Sequence, residues 1–328
     1  IVPVGAGVVS DLGKWIAFDL GLPFAPFATA ASMNGYASSN VAPTLRGVKC
    51  LTYARPPEAV AAAPSVLAEA PRELTAAGLG DVLAKSASSA DWRMNHLLFG
   101  DYYCARSVGL VAEIEPLYLD RPQAVRRRES AAIEALFQAL LLTGVAMTLA
   151  ETSAPASGGE HLISHALDMM SSLDGVPHDL HGRQVGLGTV LALALYERVL
   201  AVESPALTCP PGDIDARFWG RLAGVVRAKH EQKVPRLRAA EAALARGGAW
   251  DRLRAELSRL VRPPAVVRDC LARAGAACTA GEIGCDRARV LAAFTHAHEI
   301  RERFTVLDLA RLAGVMPTAA EGLVESWT

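Results

Sequence analysis

From about Glu58 to its end the chain repeats alanine and leucine at helical spacing with few β-branched runs, broken by Gly and Pro. A period near 3.6 over most of a 328-residue chain excludes an all-β architecture and demands a large helical body. Helices are expected over 65–70, 71–91, 122–152, 159–173 and 181–201. Beyond the break at Pro210-Pro211-Gly212 they are expected over 214–231, 235–245, 249–261 and 288–313. The residues before Pro56-Pro57 read differently. An apolar strand, IVPV, meets the glycine turn Gly5-Ala6-Gly7, a helix over 11–20 and a second strand over 23–28, a βα pattern that opens abruptly, as if another unit preceded it. Two units follow, an α/β part over 1–57 and an all-helical part over 58–328.

Composition narrows the function classes. Lys plus Arg number 33 against 34 Asp plus Glu, a net charge of -1 that offers no footprint for nucleic acid or anionic lipid. The apolar stretches over 132–149 and 185–195 are interrupted by Glu134 and Gln138 or flanked by charge, so no membrane span is expected. Six cysteines, none in a C-x-x-C pair, disfavour a zinc ribbon or a disulfide scaffold and suit reduced thiols in a cytoplasmic protein without an export signal.

Chemistry concentrates in Glu160-His161-Leu162-Ile163-Ser164-His165 and in His181-Gly182. On a helix His161 and His165 share a face, and His181 opens the next helix after a turn, so three imidazoles could converge. Alone, an i, i+4 histidine pair also suits a solvated or core face. Asp81 follows Ala76-Ala77-Gly78-Leu79-Gly80 in an apolar helical stretch, where a buried carboxylate needs a partner or a cation. A simple N-cap after a glycine break is the plainer account. Together, one carboxylate and two imidazoles suit zinc or a similar divalent ion.

Four ordered motifs, TAASMNGYASSNVAPTLRGVKC, LTAAGLGDVLAKSASSADW, ASGGEHLISHALDM and HGRQVGLGTV, resemble the sn-glycerol-1-phosphate dehydrogenase family. That family belongs to the iron-containing alcohol dehydrogenase and dehydroquinate synthase superfamily, and the resemblance spans roughly residues 5–199. It implies an α/β Rossmann-like nucleotide-binding domain, its opening βα units absent from this chain, followed by an all-α metal-binding domain. It also implies NAD or NADP as cofactor and one divalent metal, zinc first, nickel or iron by the same ligands. Asp81, His161 and His181 match the metal ligands, while His165, Asn34 and Asp81 match the catalytic positions, with His165 facing substrate. Gly7, Val8, Val9, Ser10 and Asp11 match the diphosphate turn, where glycine admits the pyrophosphate to a helix start. Thr29, Ser32 and Ser38 match further nucleotide contacts. Lys85, one turn after Asp81, is either a substrate contact or a solvated lysine.

The family's Met-Asp-Gly-Tyr stands here as Met33-Asn34-Gly35-Tyr36, which removes the charge of a substrate contact. The implied reaction is reduction of dihydroxyacetone phosphate, or a related small hydroxyketone, in a homo-oligomer with a small phosphorylated partner. A dehydroquinate synthase-like cyclase and a non-catalytic helical binding protein are the alternatives. Net turnover of NADH separates the first, and stoichiometric metal the second.

Overall fold

The computed structural model describes residues 1–110 and 112–328. The strands are β1 (Val4–Gly5), β2 (Phe27–Ala28), β3 (Asn40–Val41), β4 (Thr44–Leu45), β5 (Val48–Lys49), β6 (Thr52–Tyr53) and β7 (Ala61–Ala62). A parallel three-stranded sheet runs β1-β2-β7, with Val4 opposite Phe27 and Phe27 opposite Ala61. Helix α1 (Val8–Asp19) is the crossover between β1 and β2. The paired strands are shorter than the apolar runs because Pro3, Pro23 and Pro26 have no N–H for the ladder. The sheet continues past Pro57, since β7 pairs with β2. The antiparallel pairs β3-β6 and β4-β5 form small ribbons between them.

The remainder is helical. It begins with α2 (Pro64–Glu69), α3 (Arg72–Leu83), α4 (Lys85–Phe99), α5 (Ala105–Gly109), α6 (Glu115–Leu119) and α7 (Pro122–Arg126). The long core helices are α8 (Ser130–Ala150), α9 (Gly159–Asp174) and α10 (His181–Leu200). Then come α11 (Ala216–Trp219), α12 (Ala223–Leu244), α13 (Ala249–Leu257), α14 (Pro264–Ala274), α15 (Arg287–His296), α16 (Val306–Leu312) and α17 (Ala320–Trp327). Helix α10 is the hub, packed on α3, α9, α14 and α16, and its residues 184–196 are buried throughout.

Several boundaries differ from the sequence expectation. The helix expected over 122–152 breaks at Arg128, which adopts φ 58° and donates to the Ala68 carbonyl. The expected break before Pro235 is absent, and α12 runs through it. Pro235 and Glu231, whose carbonyl the proline leaves free, both lie on the exposed face, where water can satisfy that oxygen. His230, Lys233, Leu237 and Ala240 bury the other face. Helix α8 is the one described helix long and apolar enough to cross a membrane, with mean hydropathy 1.7 over its most apolar window. That window is 61% buried within the protein, against the 34–37 turn and α3, as a core helix requires.

Candidate active site

Asp81 lies inside α3, not at a helix cap, and is 3% exposed. The small residues around it let other backbone approach closely. A Cβ on Gly80 would stand 2.0 Å from the carbonyl oxygen of Gly182, and one on Gly182 would stand 2.0 Å from that of Ala77. Only glycines permit this crossing of α3 and α10, which brings Asp81 to the first turn of α10, where His181 sits. Helix α9 supplies His161 and His165 from one face.

One ligand atom each from Asp81, His161 and His181 lie within 4.8 Å of one another. The three imidazole rings cluster, with centroids 5.2 Å apart for His161 and His181, 5.5 Å for His165 and His181, and 6.0 Å for His161 and His165. Asp81 Oδ2 accepts from the Asn34 backbone N–H at 2.8 Å. Its Oδ1 is buried without a hydrogen bond, 3.4 Å from His161 Nε2.

The other nitrogens of the two histidines are already engaged. His161 Nδ1 donates to Glu160 Oε1 at 2.9 Å. Ser164 Oγ donates to Gln184 Oε1 at 2.9 Å, so His181 Nδ1, 3.1 Å from that hydroxyl, must be the donor of its own contact. Both rings thereby leave Nε2 as the nitrogen that can ligate an ion, His161 giving up its proton as it does so. Burial opposes charge on His161, but the Asp81 and Glu160 carboxylates outweigh it and push its pKa up to about 9. Burial, then the neighbouring His181 and Arg301, hold His165 well below the usual imidazole range, and its Nδ1 is buried without a partner. His181 is lowered likewise by burial and by His161.

Behind the histidines lies a carboxylate layer to which the sequence reading assigned no role. Glu160 is fully buried and accepts from the Gly158 N–H at 2.6 Å. Asp91 accepts from the N–H groups of Gly159 and Val306 at 2.7 and 2.8 Å and from Tyr196 Oη at 2.5 Å. Burial and the nearby Glu160 raise Asp91 to about 7 despite those donors. Lys14 was also missed. It is 1% exposed, and its Nζ donates to the carbonyls of Gly35, Ser38 and Asn40 at 2.5, 2.8 and 3.1 Å, pinning the loop that carries Asn34. Burial lowers its pKa to about 8, against the pull of Asp11. The available signals were Glu160 beside a histidine and Lys14 one turn after Asp11.

A cavity of about 300 Å³ opens beside this cluster, lined in part by Asn34, Ser38, His161, His165 and His181. Asp11 also faces it, with Oδ2 accepting from the Ala42 N–H at 3.3 Å. Of the nucleotide positions, Gly7 (φ 49°), Val8, Val9 and Ser10 form the start of α1, with Val8 and Val9 exposed and Ser10 buried. Thr29 follows β2 and donates its N–H to the Gly5 carbonyl, and Ser32 is buried; neither lines the cavity, whereas Ser38 does. Lys85 begins α4 and does not line the cavity. Burial lowers its pKa to about 8, with Glu115 opposing.

The family model for iron-containing alcohol dehydrogenase matches residues 1–71. Among curated proteins, glycerol-1-phosphate dehydrogenase (NAD(P)+) of Bacillus velezensis is 31% identical over 309 residues, covering 94% of this chain and 69% of its own length. The Thermococcus kodakarensis protein of that name is 31% identical over 308 residues, covering 94% and 68%. Among solved structures, a probable glycerol dehydrogenase from Sinorhizobium meliloti superposes with TM-score 0.59 at 18% identity, covering 99% of this chain and 77% of that one. NADH-dependent butanol dehydrogenase A from Thermotoga maritima gives 0.56 at 13% identity, covering 95% and 75%. The fold is therefore that of the iron-containing alcohol dehydrogenases, and the chain belongs to the glycerol-1-phosphate dehydrogenase family.

Proposed function

We propose that this protein reduces dihydroxyacetone phosphate to sn-glycerol 1-phosphate with NADH or NADPH, in the cavity beside His161, His165 and His181. The observation that carries this reading is that Asp81, His161 and His181, from three helices, each bring one ligand atom to within 4.8 Å of the others, the two histidines lining the cavity. The donor set fits a divalent ion. Asp81 Oδ1 is a buried oxygen without a hydrogen bond, and the Nδ1 contacts leave both Nε2 atoms as the ligating nitrogens. Zinc suits one carboxylate and two imidazoles best, and nickel and iron accept the same donors. Bound there, the ion would polarise the substrate carbonyl and offset the charge that develops on its oxygen.

The chain's own residues do the rest. In this reading residues 1–63, with the parallel sheet, are the remainder of a Rossmann-like nucleotide-binding domain, and the helices from α2 onward form the metal and substrate domain. The nucleotide diphosphate sits at Gly7, Val8, Val9 and Ser10, where open space surrounds Gly7 and the backbone N–H groups of α1 favour an anion. Thr29, Ser32 and Ser38 support the nucleotide side, and Asp11 with Lys14 holds the 35–42 loop in place. Asn34 binds a substrate hydroxyl. His165, kept neutral by burial, carries hydrogen on one ring nitrogen and a lone pair on the other. It therefore passes a proton toward the substrate oxygen rather than storing one.

The test is NADH or NADPH oxidation by purified protein loaded with zinc, nickel or iron and given dihydroxyacetone phosphate, together with elemental analysis. Stoichiometric metal with net cofactor oxidation is expected. No oxidation with any small ketone or hydroxyketone phosphate would overturn the reading.

A further inference from the structure

The cavity has a second polar wall, remote in sequence from the histidines. Between the short turn at Ala297–Glu299 and α16, Arg301 and Arg303 both line the cavity that His161, His165 and His181 line. Among the described residues neither guanidinium has a carboxylate within 4.0 Å. Arg301 donates through Nη2 to the Lys49 carbonyl at 2.6 Å, and its Nε and Nη1 carry no hydrogen bond. Arg303 is fastened to the 152–157 loop through the Ser157 carbonyl and the hydroxyls of Thr152 and Ser153, with Nε left over. The nearest acid in sequence, Glu302, is taken by Lys229 at 3.3 Å. Partly buried guanidinium groups are costly to hold without an anion, and their planar fork matches the oxygens of a phosphate.

We infer that Arg301 and Arg303 form the subsite for the phosphate dianion of the substrate, on the wall of the same cavity that His161, His165 and His181 line. This rests on the reading that the substrate is a phosphorylated hydroxyketone. A phosphate could equally belong to the nucleotide, whose diphosphate the proposed function places at the start of α1, and kinetics tell the two apart.

The experiment compares the metal-loaded wild type with Arg301→Gln, Arg303→Gln and Arg301→Lys. Inorganic phosphate binding is measured by calorimetry, and KM is measured separately for dihydroxyacetone phosphate and for the nucleotide. Arg301→Gln should weaken phosphate binding about tenfold or more and raise KM for dihydroxyacetone phosphate to match, with the nucleotide KM within about twofold. Arg301→Lys should recover part of the phosphate affinity, because charge returns without the fork. Unchanged phosphate binding in a folded Arg301→Gln protein overturns the inference, and so does a loss confined to the nucleotide KM. Arg303→Gln also removes a loop anchor, so if it fails to fold, Arg301→Gln decides alone. Absence of turnover with any ketone would sink the dehydrogenase reading, while the phosphate titration would still judge the arginines.

Discussion

At the level of single residues, His161 and His165 sit four apart on one face of α9 yet have different surroundings. His161 is held by Glu160 through Nδ1 and faces Asp81 through Nε2, whereas His165 has a buried Nδ1 with no partner. Replacing His161 with Ala should abolish both metal retention and turnover, because a three-ligand site loses most of its affinity with one imidazole. His165→Ala should keep the metal and mainly slow turnover. Elemental analysis beside kcat separates the two, and equal metal loss in both variants would show the roles to be misassigned. Asn34 is the second residue to test. Its backbone N–H holds Asp81, so a change of side chain leaves that bond in place. Asn34→Asp supplies a charged acceptor worth about 1.5 to 3 kcal/mol to a bound hydroxyl, so preference for dihydroxyacetone phosphate over other ketones should rise about tenfold or more. An unaltered ranking of kcat/KM values in folded, metal-loaded protein would remove position 34 from specificity.

Between elements, two contacts set the site. The first is the glycine crossing of α3 and α10. Glycine inside a helix costs about 1 kcal/mol relative to alanine, so its presence before Asp81 implies a packing reason. Gly80→Ala would place a methyl 2.0 Å from the Gly182 carbonyl oxygen and force the helices apart. Stability should fall by about 3 kcal/mol or more in urea denaturation, with metal content falling too as Asp81 leaves His181. A variant of wild-type stability and full metal content would show that the close approach does not matter. The second contact is Lys14, which ties α1 to the Asn34 loop. Its folded pKa of about 8 lies below the usual lysine value of 10.5, so between these two the unfolded chain binds more protons. Lys14 therefore contributes stability that grows as pH rises from about 8 to about 10.5, whereas below 8 its buried charge is a constant cost. Lys14→Met should lack this rise. It should also lose about 3 kcal/mol or more, because the carbonyls of Gly35, Ser38 and Asn40 lose their donor. Denaturation midpoints of both proteins across that pH window test it.

For the whole molecule, what was readable in the sequence was what local pattern carries. Periodicity announced α8, α9 and α10, and the ordered motifs around Gly80, His161 and Gly182 announced which side chains meet. Arg128 breaks a helix with neither Gly nor Pro to mark it, and Pro235 spares one because its freed carbonyl faces solvent. Nothing local ties Val306 to Asp91 across 215 residues, or Phe304 to Asn95 across 209. Arg301 and Arg303 lie in an irregular segment beyond the reach of the family motifs, so their place in the wall of the cavity that His165 lines could be known only from the fold. The same long-range closure makes a prediction for the entire chain. Asp81, His161 and His181 come from α3, α9 and α10, helices that pack together only in the folded state, so an ion held by them binds the native protein and not the unfolded one. At about 1,000 times its Kd such an ion adds about 4 kcal/mol to stability. For a chain of 328 residues, with about 2.1 cal/mol/K of unfolding entropy per residue, that corresponds to a thermal midpoint about 6 °C higher, at roughly 1.5 °C per kcal/mol. Chelation should lower the midpoint by that amount and zinc should restore it, whereas His161→Ala should melt at one temperature with or without zinc. A midpoint in the wild type that ignores both chelator and zinc would mean that the three side chains meet without holding an ion.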